Sequence, residues 1–277
     1  MSLTNYKFHI EYRKSAPFNM DNKHSHELHE IYYLQSGERY YFIDDRIYHV
    51  NPGDIIFIPK KVLHRTTAAN NDNHERTVLY FNDSFLAGLA PNNNKQSIMT
   101  CFYRESKALR LKVAEQNTIE TILAKMVAEY KNPKEDSEIY LKSLLIQLLV
   151  HTSRISPIGD GANFDPLNPI HDKIHKIVRY IRHNYQKPIC LAEIAEQFYI
   201  SQFYLCRMFK EVTGLTLIEY LNNIRIKEAQ QLLEKTDLSI TEISGLVGYE
   251  NQTYFGRMFK RITGTTPREY RKARFTI

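Results

Sequence analysis

The sequence predicts an α+β multidomain protein: a small β-barrel followed by helices, then an all-α unit built from two helix-turn-helix motifs. Three observations predict it. Short alternating apolar runs broken by turns occupy the first ~85 residues. Three- and four-residue apolar spacing replaces them from residue 114. Finally, the block "YLCRMFKEVTG", Tyr204 to Gly214, returns fifty positions later as "YFGRMFKRITG", Tyr254 to Gly264.

Composition narrows the class. The 277 residues are 43% hydrophobic and 25% charged, the balance of a soluble globular protein. No apolar run reaches the ~18 residues of a membrane span, and "MSLTNYKFHIEYRK" lacks the apolar centre of a signal peptide. The odd set Cys101, Cys190 and Cys206, without metal-like spacing, argues against a disulfide framework and for a reducing, cytoplasmic setting. Charge is unevenly placed. Residues 169–277 carry 17 Lys+Arg against 11 Asp+Glu, whereas residues 1–168 carry 20 of each. Only the second half is thereby expected to meet a polyanion.

In chain order, "YKFHIEY" alternates Tyr6, Phe8, Ile10 and Tyr12 as a strand does. "ERYYFIDDRIYHV" reads as two strands around Asp44-Asp45, and "NPGD" at Asn51 to Asp54 is a turn before the apolar run "IIFIP". "RTVLYFN" closes the series. Many short strands of this kind predict a sandwich or small barrel. Helices come next: Ile119, Ile122, Leu123 and Met126 form one stripe, and Leu141, Leu144, Leu145, Leu148 and Leu149 another. Such stripes serve as core or as a seam with a second copy, and dimerisation is the expectation. "SPIGDGANFDPLNP", with three prolines and two glycines, is a linker. The expected domains are thus 1–100, a helical dimerisation or packing segment 101–155, a linker 156–169, and 170–277.

The repeat extends beyond its quoted core. Residues 201–223 and 251–273 share eleven identities in twenty-three positions. Leu205, Met208, Phe209 and Val212 fall on one helix face, as do Phe255, Met258, Phe259 and Ile262 in the second copy. The opposite faces hold Phe203, Cys206, Arg207 and Lys210, then Thr253, Gly256, Arg257 and Lys260. A short amphipathic helix precedes each copy ("LAEIAEQF" and "ITEISGLV"), and Ser201 and Asn251 stand at N-cap positions. Helix, tight turn, helix is the layout that sets its second helix into the DNA major groove. The intervening "LIEYLNNIRIKEAQQLLEK" makes a helix of roughly 28 Å, close to the ~34 Å between successive major grooves on one side of a duplex.

Residues 170–277 resemble the DNA-binding domain of the AraC/XylS family of bacterial transcription regulators. The resemblance is carried by "LAEIAEQFYISQFYLCRMFKEVTG" and by "TEISGLVGYENQTYFGRMFKRITGTTPREYRK". It implies double-stranded DNA as partner, with bases read from Gln202, Phe203, Cys206 and Arg207, then from Gln252, Thr253 and Arg257, beside the flanking Ser201 and Asn251. Arg suits the guanine edge, Gln the adenine edge, and the Thr methyl meets a thymine methyl. Cys206 departs from the polar residues common at its place. Lys210, Lys260 and Arg261 suit phosphates. The resemblance further implies a homodimer, contact with RNA polymerase, and more often activation than repression.

In the first half, "HSHELHEIYYLQSGE" has the spacing H-x-H-x3-E-x6-G through His24, His26, Glu30 and Gly37, with Gly53-Asp54, Ile58-Pro59 and His64 further on. This resembles the two cupin motifs, with Lys61 where glycine is usual, and so implies a cupin-like jelly-roll barrel. In cupin enzymes the matching residues bind a metal; here His24, His26, Glu30 and His64 would hold a divalent transition metal. Sensor domains of the regulator family are also cupin-like, and there the barrel is a pocket for a small-molecule effector. Phe8, Tyr33, Tyr41 and Phe57, with Tyr6, are aromatic candidates for lining it together with those four residues, and a sugar is the ligand class the resemblance implies. Two functions stand side by side: a ligand-responsive regulator that catalyses nothing, and a cupin metalloenzyme with an appended DNA-binding domain.

Overall fold

Period-two alternation does produce strands in the computed structural model, which describes residues 6–16, 26–70, 73–88, 98–155 and 168–273. The contacts divide the chain into two compact units, 1–167 and 168–277. In the first unit β1 (Phe8–Ser15), β7 (His74–Phe81), β2 (His29–Ser36), β5 (Asp54–Ile58) and β8 (Ala108–Arg110) form one sheet in that order. A second sheet has the order β4 (Arg46–Val50), β3 (Arg39–Ile43), β6 (His64–Ala68). The β3–β4 hairpin closes with Ile43 opposite Arg46, and Asp44 takes φ +56°, a conformation Asp tolerates better than most residues. Gly53, at φ +87°, ends the next turn; its N–H donates to the Leu34 carbonyl at 2.8 Å.

The centre of the larger sheet, β2 and β5, is buried on both faces, and the alternation sorts the side chains into two cores. Phe8, Ile10, Ile31, Tyr33, Ile55, Phe57, Leu79 and Phe81 face one way and cluster with helix residues. Tyr32, Leu34, Ile56, Ile58 and Val78 face the other way and meet Tyr41, Ile43, Tyr48 and Val50 of the smaller sheet. This second cluster is the interior of the barrel.

The helices that cover the outer face are α1 (Thr100–Tyr103), α2 (Val113–Lys131) and α3 (Ser137–Arg154). Every residue of the two apolar stripes, Ile119 to Met126 and Leu141 to Leu149, is buried in the same cluster as Phe8 and Phe57. The stripes expected to form a seam between copies are core of their own chain. The segment after residue 100 is bound to the barrel by β8 as well, which pairs with β5 through Asp54 to Ile56. Three residues are too short for a period to show, so β8 was not legible in the sequence.

The second unit is helical throughout: α4 (Pro169–Asn184), α5 (Leu191–Gln197), α6 (Gln202–Thr213), α7 (Leu217–Lys235), α8 (Ile240–Leu246), α9 (Gln252–Thr263) and α10 (Pro267–Ala273). Asn168 caps α4 by accepting from the His171 N–H at 2.9 Å, with Pro169 at the first helical position, where its missing donor costs nothing. The linker residues 156–167 lie outside the described residues.

Candidate DNA-reading face and barrel interior

The two repeated helices, α6 and α9, are built alike. The Ser201 hydroxyl accepts from the Tyr204 N–H at 3.2 Å and the Asn251 side chain from the Tyr254 N–H at 2.9 Å. Both helices end on a left-handed glycine, Gly214 and Gly264, whose N–H returns to the Lys210 or Lys260 carbonyl. Thr213 and Thr263 then bond the Phe209 and Phe259 carbonyls. Capping boxes start the next helix in each copy: Thr216 with Glu219 for α7, and Thr266 with Glu269 for α10. The 19-residue α7 joins the two halves.

Each helix buries one face and shows the other. Leu205, Met208, Phe209 and Val212 are buried, as are Phe255, Met258 and Phe259. Gln202, Phe203, Cys206, Arg207 and Lys210 are exposed, and so are Gln252, Thr253, Arg257, Lys260 and Arg261. Phe203 is 77% exposed, an unusual state for a phenyl ring in a folded helix. The Arg207 guanidinium lies 6.0 Å from the Tyr204 ring centre, and Arg257 lies 5.8 Å from Tyr254. A tyrosine thus supports each arginine at the same place in both copies.

In the barrel, two histidines close on one carboxylate. His26 Nε2 is 3.1 Å and His64 Nε2 3.2 Å from the same oxygen of the buried Glu30. Their Nδ1 atoms face the carbonyls of Leu28 (2.8 Å) and Val62 (2.9 Å), which only accept, so these partners place a hydrogen on each Nδ1. Both Nε2 atoms therefore need a positive species between them and Glu30: a proton or a metal. Burial works against a charged His64, yet Glu30 outweighs it and raises the ring above its ordinary value. Burial likewise works to raise Glu30, and His64 and His26 hold it well below the usual carboxylate range. The ligand atoms of His26, Glu30 and His64 all lie within 4.8 Å of one another. Two imidazoles and a carboxylate, each imidazole oriented by a carbonyl, fit a divalent transition metal.

Comparison with known proteins decides the family. Residues 10–149 match the AraC-like ligand binding domain, and residues 194–273 match a helix-turn-helix domain. The chain belongs to the AraC family. It is a DNA-binding transcription regulator with a ligand-binding domain. The HTH-type transcriptional activator RhaS of Klebsiella pneumoniae (strain 342) is 26% identical over 260 residues, 92% of this chain and 89% of that protein. The C-terminal domain of AraT, a response regulator from Geobacillus stearothermophilus, is 36% identical, covering 40% of this chain and 89% of that one, with a TM-score of 0.37. ToxT of Vibrio cholerae covers 97% of this chain at 15% identity and a TM-score of 0.37.

Against this AraC-type architecture, the expected site residues divide. The exposed positions of α6 and α9 share one side of each helix, while Ser201 and Asn251 use their side-chain oxygens for capping. Ile262, expected in the core beside its counterpart Val212, is 36% exposed. In the barrel, His26, Glu30 and His64 are brought together and Tyr41 faces the same interior, while His24 lies outside the described residues. Phe8, Tyr33 and Phe57 are corrected: they point away from the interior into the helices, where the Tyr33 hydroxyl donates to Glu120 at 2.7 Å. A strand buried on both faces alternates without telling which face is inside. The interior aromatics are Tyr32, Tyr41, Tyr48 and Tyr80, of which only Tyr41 was expected.

Among the described residues no helix is long and apolar enough to cross a membrane.

Proposed function

We propose that this regulator is a ligand-gated activator that works in the cytoplasm, reads two adjacent major grooves with α6 and α9, and takes its effector into the barrel interior. The observation that carries it is the duplicated Tyr–Arg pair, its arginines exposed, on two similarly capped helices. In this reading Gln202, Phe203, Cys206 and Arg207, then Gln252, Thr253 and Arg257, meet bases, and Lys210, Lys260 and Arg261 meet phosphates. Activation is inferred from the RhaS proteins, which are named transcriptional activators and align over 92% of the chain. RNA polymerase is then the further partner. Homodimerisation belongs to the same reading, with the exposed Ile139 and Tyr140 of α3 as its surface, since the buried stripes are already used.

A polyhydroxylated ligand suits an interior lined by Tyr32, Tyr41, Tyr48 and Tyr80, whose rings stack and whose hydroxyls bond. The ligand shifts the population of DNA-competent dimers, and the protein catalyses nothing. A second reading rests on His26, Glu30 and His64: a divalent metal held there would fix the barrel wall and supply a charge for the ligand to meet.

Selection of bound fragments from a random duplex library by the full chain tests the core of this. Two enriched blocks with centres about 10 bp apart are expected. A single enriched block would leave one of the two readers without a role.

A further inference from the structure

The repeat makes one helix-turn-helix unit a template for the other. At the turn before each repeated helix, the Ile200 N–H donates to the Ala195 carbonyl and the Tyr249 N–H to the Ser244 carbonyl, both at 2.9 Å. The residue before each takes a positive φ, Tyr199 at +54° and Gly248 at +91°. Ile200 and Tyr249 are therefore equivalent by backbone geometry, although a second turn one residue longer hides this in the sequence. A helix also backs each reader, since α4 packs on α6 as α7 packs on α9.

What lies behind the two readers differs. In the second unit the buried Tyr249 ring is 5.9 Å from Tyr254 and 5.3 Å from Phe255, and α7 sets the Arg225 guanidinium 5.3 Å from it. In the first unit the equivalent residue is isoleucine, and Leu205 stands in place of Phe255. Ile200 ends short where Tyr249 reaches its neighbour. Behind Tyr204 an open hollow of about 120 Å³ remains, walled by Ile170, Lys173, Ile174, Ile200, Tyr204 and Met208. Apolar cavities of roughly 150 Å³ hold one benzene ring. Lys173 stands on the α4 wall of this hollow as Arg225 stands on α7, so each site has one cation for a ring to meet. The adjacent Asp172 pairs with Lys176 at 2.7 Å, and among the described residues Lys173 has no ion pair.

We propose that this hollow is a ligand site separate from the barrel and that it takes an arylcarboxylate. One aromatic ring lies behind Tyr204 as Tyr249 lies behind Tyr254, and the carboxylate meets the Lys173 ammonium. The bound ring braces Tyr204 and through it Arg207, whose guanidinium is 6.0 Å from the Tyr204 ring centre. The effect on DNA rests on the reading that Arg207 meets a base, whereas the binding step does not.

The test uses the full chain with methyl-labelled methionine, at constant ionic strength, and phenylacetate as the probe. Phenethylamine reverses the charge, and acetate removes the ring. Phenylacetate is expected to shift the Met208 methyl signal upfield and saturably, through the ring current, while the signal of its counterpart Met258 stays still. Acetate should leave Met208 unmoved. Phenethylamine should bind about tenfold more weakly than phenylacetate, and Lys173→Gln should weaken phenylacetate by about tenfold, because each loses one charge-assisted contact. Lys173 is only half-buried, so this variant keeps the fold. Ile200→Tyr supplies the missing ring from the chain itself and should abolish the phenylacetate response. Saturating phenylacetate should raise affinity for the selected duplex by about two- to tenfold, the scale of one aromatic contact, and Ile200→Tyr should give the same rise without ligand. An unmoved Met208 signal overturns the proposal, as does a shift that phenethylamine or Lys173→Gln reproduces in full. A saturable shift with unchanged affinity for the selected duplex overturns the bracing. Arg207→Ala keeps the two readings apart: the Met208 shift must persist in it, even where the variant shows that Arg207 reads no base.

Discussion

The two helix-turn-helix units share caps, C-terminal glycines and Tyr–Arg pairs, yet they are braced differently. In the second, the turn before α9 passes through Gly248 at φ +91°, and a Cβ there would come within 2.8 Å of the Tyr185 and Gln186 carbonyls. Arg225 locks this junction: it donates to the Tyr185 and Lys187 carbonyls at 2.8 and 3.0 Å and lies 5.3 Å from the Tyr249 ring. The Tyr249 hydroxyl in turn donates to Asn222 at 2.8 Å. In the first unit, the corresponding turn uses Tyr199 at φ +54°, 93% exposed. Tyr204 borders an apolar hollow lined by Ile170, Lys173, Ile174, Ile200 and Met208, whereas Tyr254 sits 5.9 Å from Tyr249. One sequence repeat thus yields a reader clamped to its neighbours and a reader with room beneath its tyrosine.

The largest expected effect breaks that clamp. Gly248→Ala combines a left-handed backbone with a clash against main-chain oxygens, and should cost about 2–3 kcal/mol. Tyr199→Gly removes a strained non-glycine residue from open solvent and should change stability by less than about 1 kcal/mol. Urea midpoints followed by helical circular dichroism at constant m-value measure both. Equal losses at the two turns would erase the distinction drawn between the units.

Next in size are the supported arginines. Arg207→Ala and Arg257→Ala should each cost about 1–3 kcal/mol on the selected site and relax preference at one base. Competition against scrambled duplex separates reading from plain charge. Losses as large on scrambled DNA would remove both residues from base reading. If the bracing matters, Tyr204→Leu should weaken binding less than Tyr254→Leu, because Tyr254 is already fixed by Tyr249 and transmits its position to Arg257.

A sequence is legible where its periods are informative. The helical repeat showed its buried and exposed faces at once, because a helix packed on one side records that side in its 3.6-residue period. Its caps were readable for the same local reason, as Ser201 and Asn251 bond within their own first turn. In the barrel the strands were visible, but the side facing inward was not. Tyr32 and Tyr33 are adjacent, equally aromatic and both buried, and only pairing with strands distant in sequence sends one into the barrel and the other toward Glu120. The spacing of His26, Glu30 and His64 survived this ambiguity because His26 and Glu30 are near neighbours and one long-range contact completes the set.

The smallest expected effect concerns charge. Residues 191–214 hold Glu193, Glu196 and Glu211 against Arg207 and Lys210, while residues 240–264 hold Glu242 and Glu250 against Arg257, Lys260 and Arg261. The first unit is therefore net −1 and the second net +1, and the pair that makes the difference is Glu211 against Arg261 at equivalent positions of the repeat. Because phosphate contacts release counterions, the second unit should supply most of the sequence-independent attraction. The first should contribute chiefly where its bases match. Glu211→Arg should then steepen the dependence of log affinity on log salt by about one unit on any duplex, and Arg261→Glu should flatten it by at least as much. The ratio of affinities for the selected site over scrambled DNA should stay unchanged in Glu211→Arg, since an added phosphate contact strengthens both alike. A salt slope that moves in Arg261→Glu but not in Glu211→Arg would mean that the first unit already stands off the backbone, and that its discrimination comes from the exposed Phe203 and Arg207 alone.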